Sequence, residues 1–594
     1  MSQSAPLMVN GFDGSGLSGL PPQTQELIAR RDAALGGAYR LFYERPVEFV
    51  RGAGVYLYDR DGVAYLDAYN NVPSVGHSHP RVSEAVSRQL ATLNTHTRYL
   101  TDGVVDYAER LLATHAIGPA HAMFTCTGSE ANDLALRIAR SSTGGTGVIV
   151  TENAYHGVTA AVAELSPSLG PQVPLGAHVR TVPAPVPGSD FAAGVAAAIE
   201  DLRRHGLQLA AFLADSIFSS DGVLPGQPGF LAPVADLVHA AGGLYIADEV
   251  QSGFGRTGSR LWGYQRHAGL VPDIVTMGKP MGNGLPIAGI AARQPVLAEF
   301  GRTARYFNTF GGNPVCVAAA AAVLDVIADE GLQANSLETG RYLKDAISGL
   351  AVGRPILADV RGAGLYLGVD VVSADTGAPS AELAAAIVNG MRDRRVLISA
   401  TGPRGHVLKL RPPLPFARPE ADQFLEALSD VLATLLVTRR LRTSPSSVRY
   451  RRLFLRATGG RAGASQGHDG ETGLLGGGAG GGGSRGYGVR GGRRGGQGGG
   501  GRSGVGGRRG RFAGRRSGLQ RAGTAGVRVR EAAVRARREH GGQARGAARR
   551  VDRAGAGLAR LAGLVAGRAV ARVPGRDAVG RRGGDQRRAL AGGT

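Results

Sequence analysis

The chain has 594 residues, 43% of them hydrophobic and 20% charged, with a formal net charge of +22 and two cysteines. That is apolar enough for a large core and too poor in cysteine for a disulfide framework, and no apolar run reaches membrane-spanning length; a disulfide-stapled miniprotein and an integral helical membrane protein are excluded. The charge is uneven: from Leu441 to Thr594 about 34 arginines and no lysine face about 7 acidic residues, roughly +27, leaving about −5 for the first 440 residues.

In chain order, residues 1–60 form an N-terminal segment, polar and glycine-rich at its start. It lacks the basic stretch and apolar run of a secretory signal, and with only Cys126 and Cys316 present it fits a reducing cytoplasm. From 61 to 330 short apolar strands alternate with helices, the pattern of a mostly parallel sheet covered on both faces. Within that region FTCTGSEANDLALRIAR (124–140) predicts a largely buried helix with Gly128 and Ser129 at its start. Free N–H groups, a serine hydroxyl and the positive end of the helix dipole suit a phosphate there; an ordinary serine N-cap reads the same residues without a ligand. The segment NAYHG (153–157) places Tyr155 and His156 in the loop after the strand GVIVT, where an aromatic ring can cover a planar ligand.

Two later stretches carry the chemistry. In GLYIADEVQSGFGRTG (243–258) a short apolar strand delivers Asp248 and Glu249 at its carboxyl end. In DIVTMGKPMGNGLPIAG (273–289) the strand Ile274 to Met277 delivers Lys279 between Gly278 and Pro280, where no helix can start. Ligands of open α/β sheets bind at that edge. An aldehyde cofactor needs an amine to hold it and a carboxylate to keep its pyridine nitrogen protonated, so Lys279 and Asp248 point to pyridoxal 5'-phosphate. Gly253 to Gly258 match the dinucleotide pattern G-x-G-x-x-G, but SRLWGYQRH follows without the helical period that a pyrophosphate-binding helix requires.

Taken together, FTCTGSEAN, YHG, IADEVQSGFGRTG, MGKPMGNGLPIAG and FNTFGGNP (307–314) resemble the class III aminotransferases, pyridoxal phosphate enzymes of the aspartate aminotransferase fold, from about Arg40 to about Leu436. The resemblance implies Lys279 as Schiff-base lysine and proton shuttle, Asp248 on the pyridinium and Gln251 near the cofactor's phenolic oxygen. It further implies Gly128 and Ser129 on the phosphate, Tyr155 with His156 at the ring, and Thr309 reaching the phosphate of a neighbouring subunit, hence a homodimer. The implied fold is fold-type I: a large, mostly parallel-sheet domain at 61–330 and a smaller α+β domain at 331–440, to which part of residues 1–60 belongs. No metal is expected.

Residues 331–440 read strand, helix, strand, strand, helix: GLYLGVDVV, AELAAAIVNGMRDRR, VLISA, HVLKL and PEADQFLEALSDVLATLL. Within the family, NNVPSVGHSHP, LNTHTRYL, DVRGAGLYLGVD and RRVLISATGP bring the chain nearest to the phospho-lyase branch, which acts on phosphoethanolamine or phosphohydroxylysine. Many 2-oxoglutarate-using members carry an arginine three residues before a Pro-Pro where this chain has Lys409, and ornithine-type members pair it with a glutamate where this chain offers Ser220. Lysine lacks the planar fork of arginine for a carboxylate. Arg98, Lys409 and Arg411 are the candidates for a second anion site. The general expectation is therefore a class III transaminase acting on a primary amine, with a phosphate- and ammonia-releasing lyase as the alternative.

Beyond residue 440 glycine, arginine and alanine dominate, a composition that cannot bury a core and reads as a disordered tail. VRGGRRGGQ and GGRRGRF resemble RNA-binding RGG boxes, but only Tyr487 and Phe512 interleave with them, which is poor for base stacking. A basic linker is a second account; an out-of-frame translation of GC-rich DNA explains the composition best.

Overall fold

The computed structural model describes residues 8–443. From residue 444 onward the tail lies outside the described residues, and with it the readings of that tail as linker, RNA-binding segment or frame-shifted translation.

Among the described residues fifteen strands make three sheets. Strands β1 (Phe49–Ala53), β2 (Tyr56–Asp59) and β3 (Ala64–Asp67) come first. The large sheet follows with β4 (Ala120–Thr125), β5 (Gly147–Thr151), β6 (Val179–Val182), β7 (Leu209–Asp215), β8 (Leu244–Asp248), β9 (Ile274–Met277) and β10 (Ala288–Arg293). The C-terminal strands are β11 (Leu357–Gly362), β12 (Leu367–Val371), β13 (Val396–Leu397), β14 (Ser399–Thr401) and β15 (Val407–Leu410). The large sheet runs β4-β10-β9-β8-β7-β5-β6. Its strands run parallel except β10, which is antiparallel to both neighbours. This is the mixed, mostly parallel α/β architecture of a fold-type I enzyme.

Continuous apolar runs make sense here because both faces of the sheet are covered. Side chains alternate between faces with period two. Phe212 and Tyr245 enter one core with Val195, Val238 and Val323, whereas their chain neighbours Leu213 and Ile246 enter another with Leu134, Ile138 and Phe300. The helix Gly128–Thr143 is fixed at its start by a capping box: Thr127 Oγ1 accepts from the Glu130 N–H at 3.2 Å, and Glu130 Oε2 accepts from the Thr127 N–H at 2.9 Å. Its N-cap is thus Thr127, one residue before the expected Gly128-Ser129 start, so Ser129 is released from capping.

The first and last parts of the described chain share one core, in which Tyr43 and Leu66 pack with Val369, Leu408 and Phe424. The expected single strand VLISA is two. Val396–Leu397 pairs in parallel with β3, whereas Ser399–Thr401 pairs with β15, so the segment changes sheets at Ile398.

One junction depends on missing side chains. A Cβ on Gly340 would lie 2.1 Å from the Gly364 carbonyl oxygen, and one on Gly364 would lie 2.5 Å from the Arg256 carbonyl oxygen. Ser336 Oγ donates to that Arg256 oxygen at 2.8 Å and accepts from the Leu365 N–H at 3.0 Å. Gly340→Ala is expected to destabilise the fold by about 1–3 kcal/mol through overpacking of backbone on backbone, measured by denaturant unfolding; unchanged stability would contradict this reading of the contact.

Candidate active site

The carboxyl ends of parallel strands converge on a cavity of about 270 Å³ lined by Thr127, Gly128, Ser129, Tyr155, His156, Asp248, Val250, Gln251 and Lys279, among others. Seven of the eight residues expected at the cofactor, Gly128, Ser129, Tyr155, His156, Asp248, Gln251 and Lys279, are thereby brought together. Topology explains this, since β4, β5, β8 and β9 all point their carboxyl ends to the same edge, where chain direction gives loops and helix starts room to meet a ligand.

Asp248 ends β8, in register with Asp215 of β7 and Thr276 of β9. Its Oδ2 accepts from His156 Nδ1 at 2.8 Å and Asn132 Nδ2 at 2.9 Å, and its Oδ1 accepts from the Val250 N–H at 3.0 Å. Burial pushes this carboxyl up, but the hydrogen bond and charge of His156, with the other donors, outweigh it and hold Asp248 below the usual carboxylate value. It is therefore an anion at neutral pH. An ionised carboxylate only accepts, so His156 donates to it from Nδ1; its Nε2 is buried without a partner. Asn132 is itself oriented, its Oδ1 accepting from Thr276 Oγ1 at 2.7 Å. The sequence reading missed Asn132, although it stands three residues after Ser129 and hence on the same helical face.

Glu249 faces away from this chemistry. It accepts from Ser216 Oγ at 2.5 Å, Ser252 Oγ at 2.8 Å and the Gly263 and Tyr264 N–H groups at 2.7 Å each. The G-x-G-x-x-G loop winds round it, and a Cβ on Gly258 would meet Leu337 Cα at 2.6 Å. These glycines serve close packing, and only a short 3-10 turn at Gly263–Arg266 follows them, in keeping with the rejection of a dinucleotide site.

The phosphate-like end of the cavity is the first turn of the helix Gly128–Thr143, whose leading N–H groups have no helical acceptor. A Cβ on Gly157 would strike Ser129 Oγ at 2.5 Å, and one on Gly128 would sit 3.0 Å from the Val250 methyls. Ser129 Oγ accepts from the Val158 N–H at 3.1 Å. Lys279 lies deep among these elements yet faces the open cavity, so its side chain counts as exposed. Crowding by protein and the nearby Arg411 charge lower its amine's pKa, against the pull of Asp248 and Asp215.

Lys409 and Arg411 are buried beside the cavity at 8% and 5% exposure. Both reach Gln251 Oε1, Lys409 by a long 3.5 Å contact and Arg411 by Nη1, while Tyr366 Oη donates to the same oxygen at 3.1 Å. Arg411 also donates to the Tyr69 carbonyl at 3.3 Å. Behind them Arg256 is held by Asn71 Oδ1 at 2.9 Å and by the Leu365 and Pro412 carbonyls. The hydrogen-bond partners of all three cations are neutral. Burial first and Arg411 second lower the amine of Lys409 far below an ordinary lysine and bring Arg256 to about 9. Tyr366, in GLYLG, escaped the sequence reading because a strand tyrosine is ordinarily core.

The structure does not bring Arg98 or Thr309 to this cavity within the chain. The Arg98 guanidinium lies 3.8 Å over the Phe307 ring and lines a separate cavity, because the loop after the helix Pro80–Thr92 carries it to another face. Thr309 is exposed beside Asn308, whose Oδ1 is 3.8 Å from Cys126 Sγ at the rim.

Comparison with known proteins identifies the family. The family model "Aminotransferase class-III" matches residues 42–432. The chain belongs to this family. It is 40% identical over 445 residues to an alanine–glyoxylate aminotransferase 2-like protein of Drosophila melanogaster, covering 71% of this chain and 90% of that one. It is 36% identical over 439 residues to ethanolamine-phosphate phospho-lyase homolog 1 of Caenorhabditis elegans, covering 69% and 94%. A solved phospholyase from Arthrobacter in complex with phosphoethanolamine is 46% identical with a TM-score of 0.67, covering 68% of this chain and 99% of that one.

As a class III aminotransferase the protein is a pyridoxal phosphate enzyme, and the cavity fits that group. An ionised buried carboxylate, an amine and a helix start whose first N–H groups are left room by Gly128 and Gly157 supply the three kinds of partner it needs. Lys279→Ala is expected to abolish the visible absorption band of the cofactor-loaded enzyme, whereas Asp248→Ala lowers turnover by at least about a hundredfold; an undiminished band in Lys279→Ala would remove that lysine from the role. Because the unfolded chain protonates Lys409 up to its ordinary value near 10.5 and the folded chain does not, stability rises with pH between the folded and unfolded values. Lys409→Met is expected to flatten this rise and stabilise the fold by about 1 kcal/mol or more, measured by thermal unfolding across the alkaline range; a variant less stable than the parent would contradict it.

Proposed function

We propose that this enzyme is a phospho-lyase that cleaves a phosphorylated primary amine of the phosphoethanolamine type, releasing phosphate and ammonia. The observation that carries the reading is the pair Lys409 and Arg411: a buried amine and a buried guanidinium beside the cavity whose hydrogen-bond partners are neutral. Buried charge left without a counter-ion is costly, and a dianionic phosphate supplies what these side chains lack. The likeness to the phospho-lyase relatives supports the same reading.

In this mechanism Gly128 and Ser129 would hold the cofactor's phosphate, Asp248 would keep its ring nitrogen protonated, Tyr155 would cover its ring, and Lys279 would hold its aldehyde until the substrate's amine takes its place. The bound cofactor draws electrons from the carbon that carries the substrate's amine. Lys279, its basicity reduced by burial and by Arg411, takes the proton from that carbon. Lys409 and Arg411 hold the phosphate on the adjacent carbon and neutralise the charge that gathers on it as the C–O bond breaks. Overall, phosphoethanolamine and one water give acetaldehyde, inorganic phosphate and ammonia.

Transamination is the second reading, favoured by the aminotransferase relative and by Arg411, whose guanidinium suits the carboxylate of a keto acid. The proposal includes a homodimer, supported by the exposed Thr309 beside the cavity rim and by the exposed Tyr99, Leu100 and Phe310. It also places the enzyme in the cytoplasm, which the unpaired Cys126 and Cys316 support.

Incubation with phosphoethanolamine is expected to release phosphate and ammonia in equal amounts, and Lys409→Met to cut phosphate release at least about thirtyfold. Amine consumption with no phosphate released, dependent on an added keto acid, would decide for the transaminase.

A further inference from the structure

One buried acid behind the cavity has no part in the chemistry described above. Asp221, 9% exposed, lies in the loop that follows β7. Its Oδ2 accepts from Thr151 Oγ1 at 2.8 Å and its Oδ1 from the Asn153 N–H at 3.2 Å, while Asn153 Nδ2 donates to the Ser220 carbonyl at 2.5 Å. These bonds stitch the end of β5 to the loop after β7, and the stitched segment runs on through Tyr155 to His156, the donor to Asp248. The loop is fixed in turn from the C-terminal sheet. Arg361 Nε donates to the Gly222 and Val223 carbonyls at 3.1 and 3.0 Å, its Nη2 donates to Gly222 at 2.7 Å, and Thr401 Oγ1 donates to the Ser219 carbonyl at 3.2 Å. Phe218 at φ 49° and the β-branched Val223 at φ 62° take a left-handed backbone that such side chains rarely adopt, so the surrounding contacts impose the loop's shape.

A carboxylate is a costly way to satisfy one hydroxyl and one N–H. An asparagine would serve as well, its oxygen accepting from the N–H and its NH2 donating to the hydroxyl oxygen, with no buried charge. Burial, with Asp215 nearby, pushes the Asp221 carboxyl up to about 6, against the pull of Thr151, the Asn153 N–H and His156. It is therefore mostly ionised at neutral pH, and the basic group that favours its charge is His156. The titratable and charged groups around it are Asp215 at the end of β7, Tyr155 and His156 after β5, Asp248 at the end of β8, and Arg361 with Asp370 from the C-terminal sheet; Glu152 is exposed to water. His156 bonds through Nδ1, its Nε2 being buried without a partner. Its charge is set by Asp248 at contact and by the anions within electrostatic reach.

We propose that Asp221 is a second, outer carboxylate of the cofactor site: Asp248 meets the His156 imidazole directly, Asp221 supports it from the loop after β7, and the two anions together offset the positive charge of the cofactor's ring nitrogen. Asp221 does not line the cavity and acts through His156, so it is a positioning residue. This inference rests on the proposed place of Asp248 at the ring nitrogen and is the same for a lyase and a transaminase. Removing the outer charge leaves one anion to balance both the imidazole and the ring nitrogen, and the cofactor is held less firmly.

The test follows loss of pyridoxal 5'-phosphate from the cofactor-loaded full-length enzyme, read as decay of its visible band after dilution into a cofactor trap, as a function of pH. Asp221→Asn keeps both hydrogen bonds and removes the charge. It is expected to release the cofactor at least about tenfold faster than the parent at about pH 8, and within about twofold of the parent's rate at about pH 5, where the parent's own Asp221 is largely neutral. Should the asparagine variant fold poorly, Thr151→Val gives a second arm: with one donor to the carboxylate gone, the pH at which retention falls is expected to rise, and an unmoved pH would overturn the proposal. A release ratio that is the same at every pH would mean that Asp221 is a structural tie only, and release equal to the parent's throughout would mean that its charge does not reach the site; either overturns the proposal. Asp248→Ala, run in parallel, separates the two levels. If it releases the cofactor faster while Asp221→Asn matches the parent, the role of Asp221 alone falls; if Asp248→Ala holds the cofactor as the parent does, the place of Asp248 at the ring nitrogen falls and takes the inference with it.

Discussion

The architecture depends on keeping one carboxylate ionised where water does not reach it. Asp248 is buried at the end of a central strand, and burial alone would protonate it. Its charge survives because His156, Asn132 and the Val250 N–H spend their donors on it. Those donors come from separate parts of the chain: the helix after β4, the loop after β5, and the residue two positions beyond β8. A sheet whose strands end together is what allows such distant segments to meet at one oxygen pair. Thr276 extends the network to β9, the strand that delivers Lys279, so the acid and the amine are positioned by one connected set of hydrogen bonds.

A second group of charges is left deliberately uncompensated. Burial and the nearby Arg411 charge lower the affinity of Lys409 and Arg256 for protons, and Asp215, the carboxylate that assists Lys409, is itself pushed up by burial and by Asp248. On the proposed reading, such an arrangement trades stability for anion binding. It also explains how Gly340 and Gly364 contribute at a distance, because their close backbone packing fixes the segment that holds Arg256.

Much of this was legible in the sequence where a residue's role follows from its place on a strand. Asp248 and Lys279 stand at the ends of short apolar runs, and such ends are where α/β sheets bind ligands. Gly128, Ser129, Tyr155, His156 and Gln251 were legible through their motifs. What remained hidden depends on which elements touch. Nothing in GLYLG separates Tyr366 from an ordinary core tyrosine until β12 is seen beside β15 and Gln251. Glu249 resembles its neighbour Asp248 in sequence, yet strand alternation sends the two to opposite faces and gives one to the cavity and the other to a loop. Arg98 shows the same limit from the other side: a cation near family motifs that the chain places over Phe307, away from this cavity of its own subunit.

The sheet change at Ile398 has a mechanical consequence. Because β13 is bonded to β3 and β14 to β15, the strand bearing Lys409 is yoked to the N-terminal sheet, whereas Lys279 rides on the large sheet. On the proposed reading, the two ends of the substrate amine would be held by different sheets of the same chain. On that reading, the separation of the two sheets would work as a caliper for the number of carbons between amine and anion, set by packing away from any residue that touches the substrate.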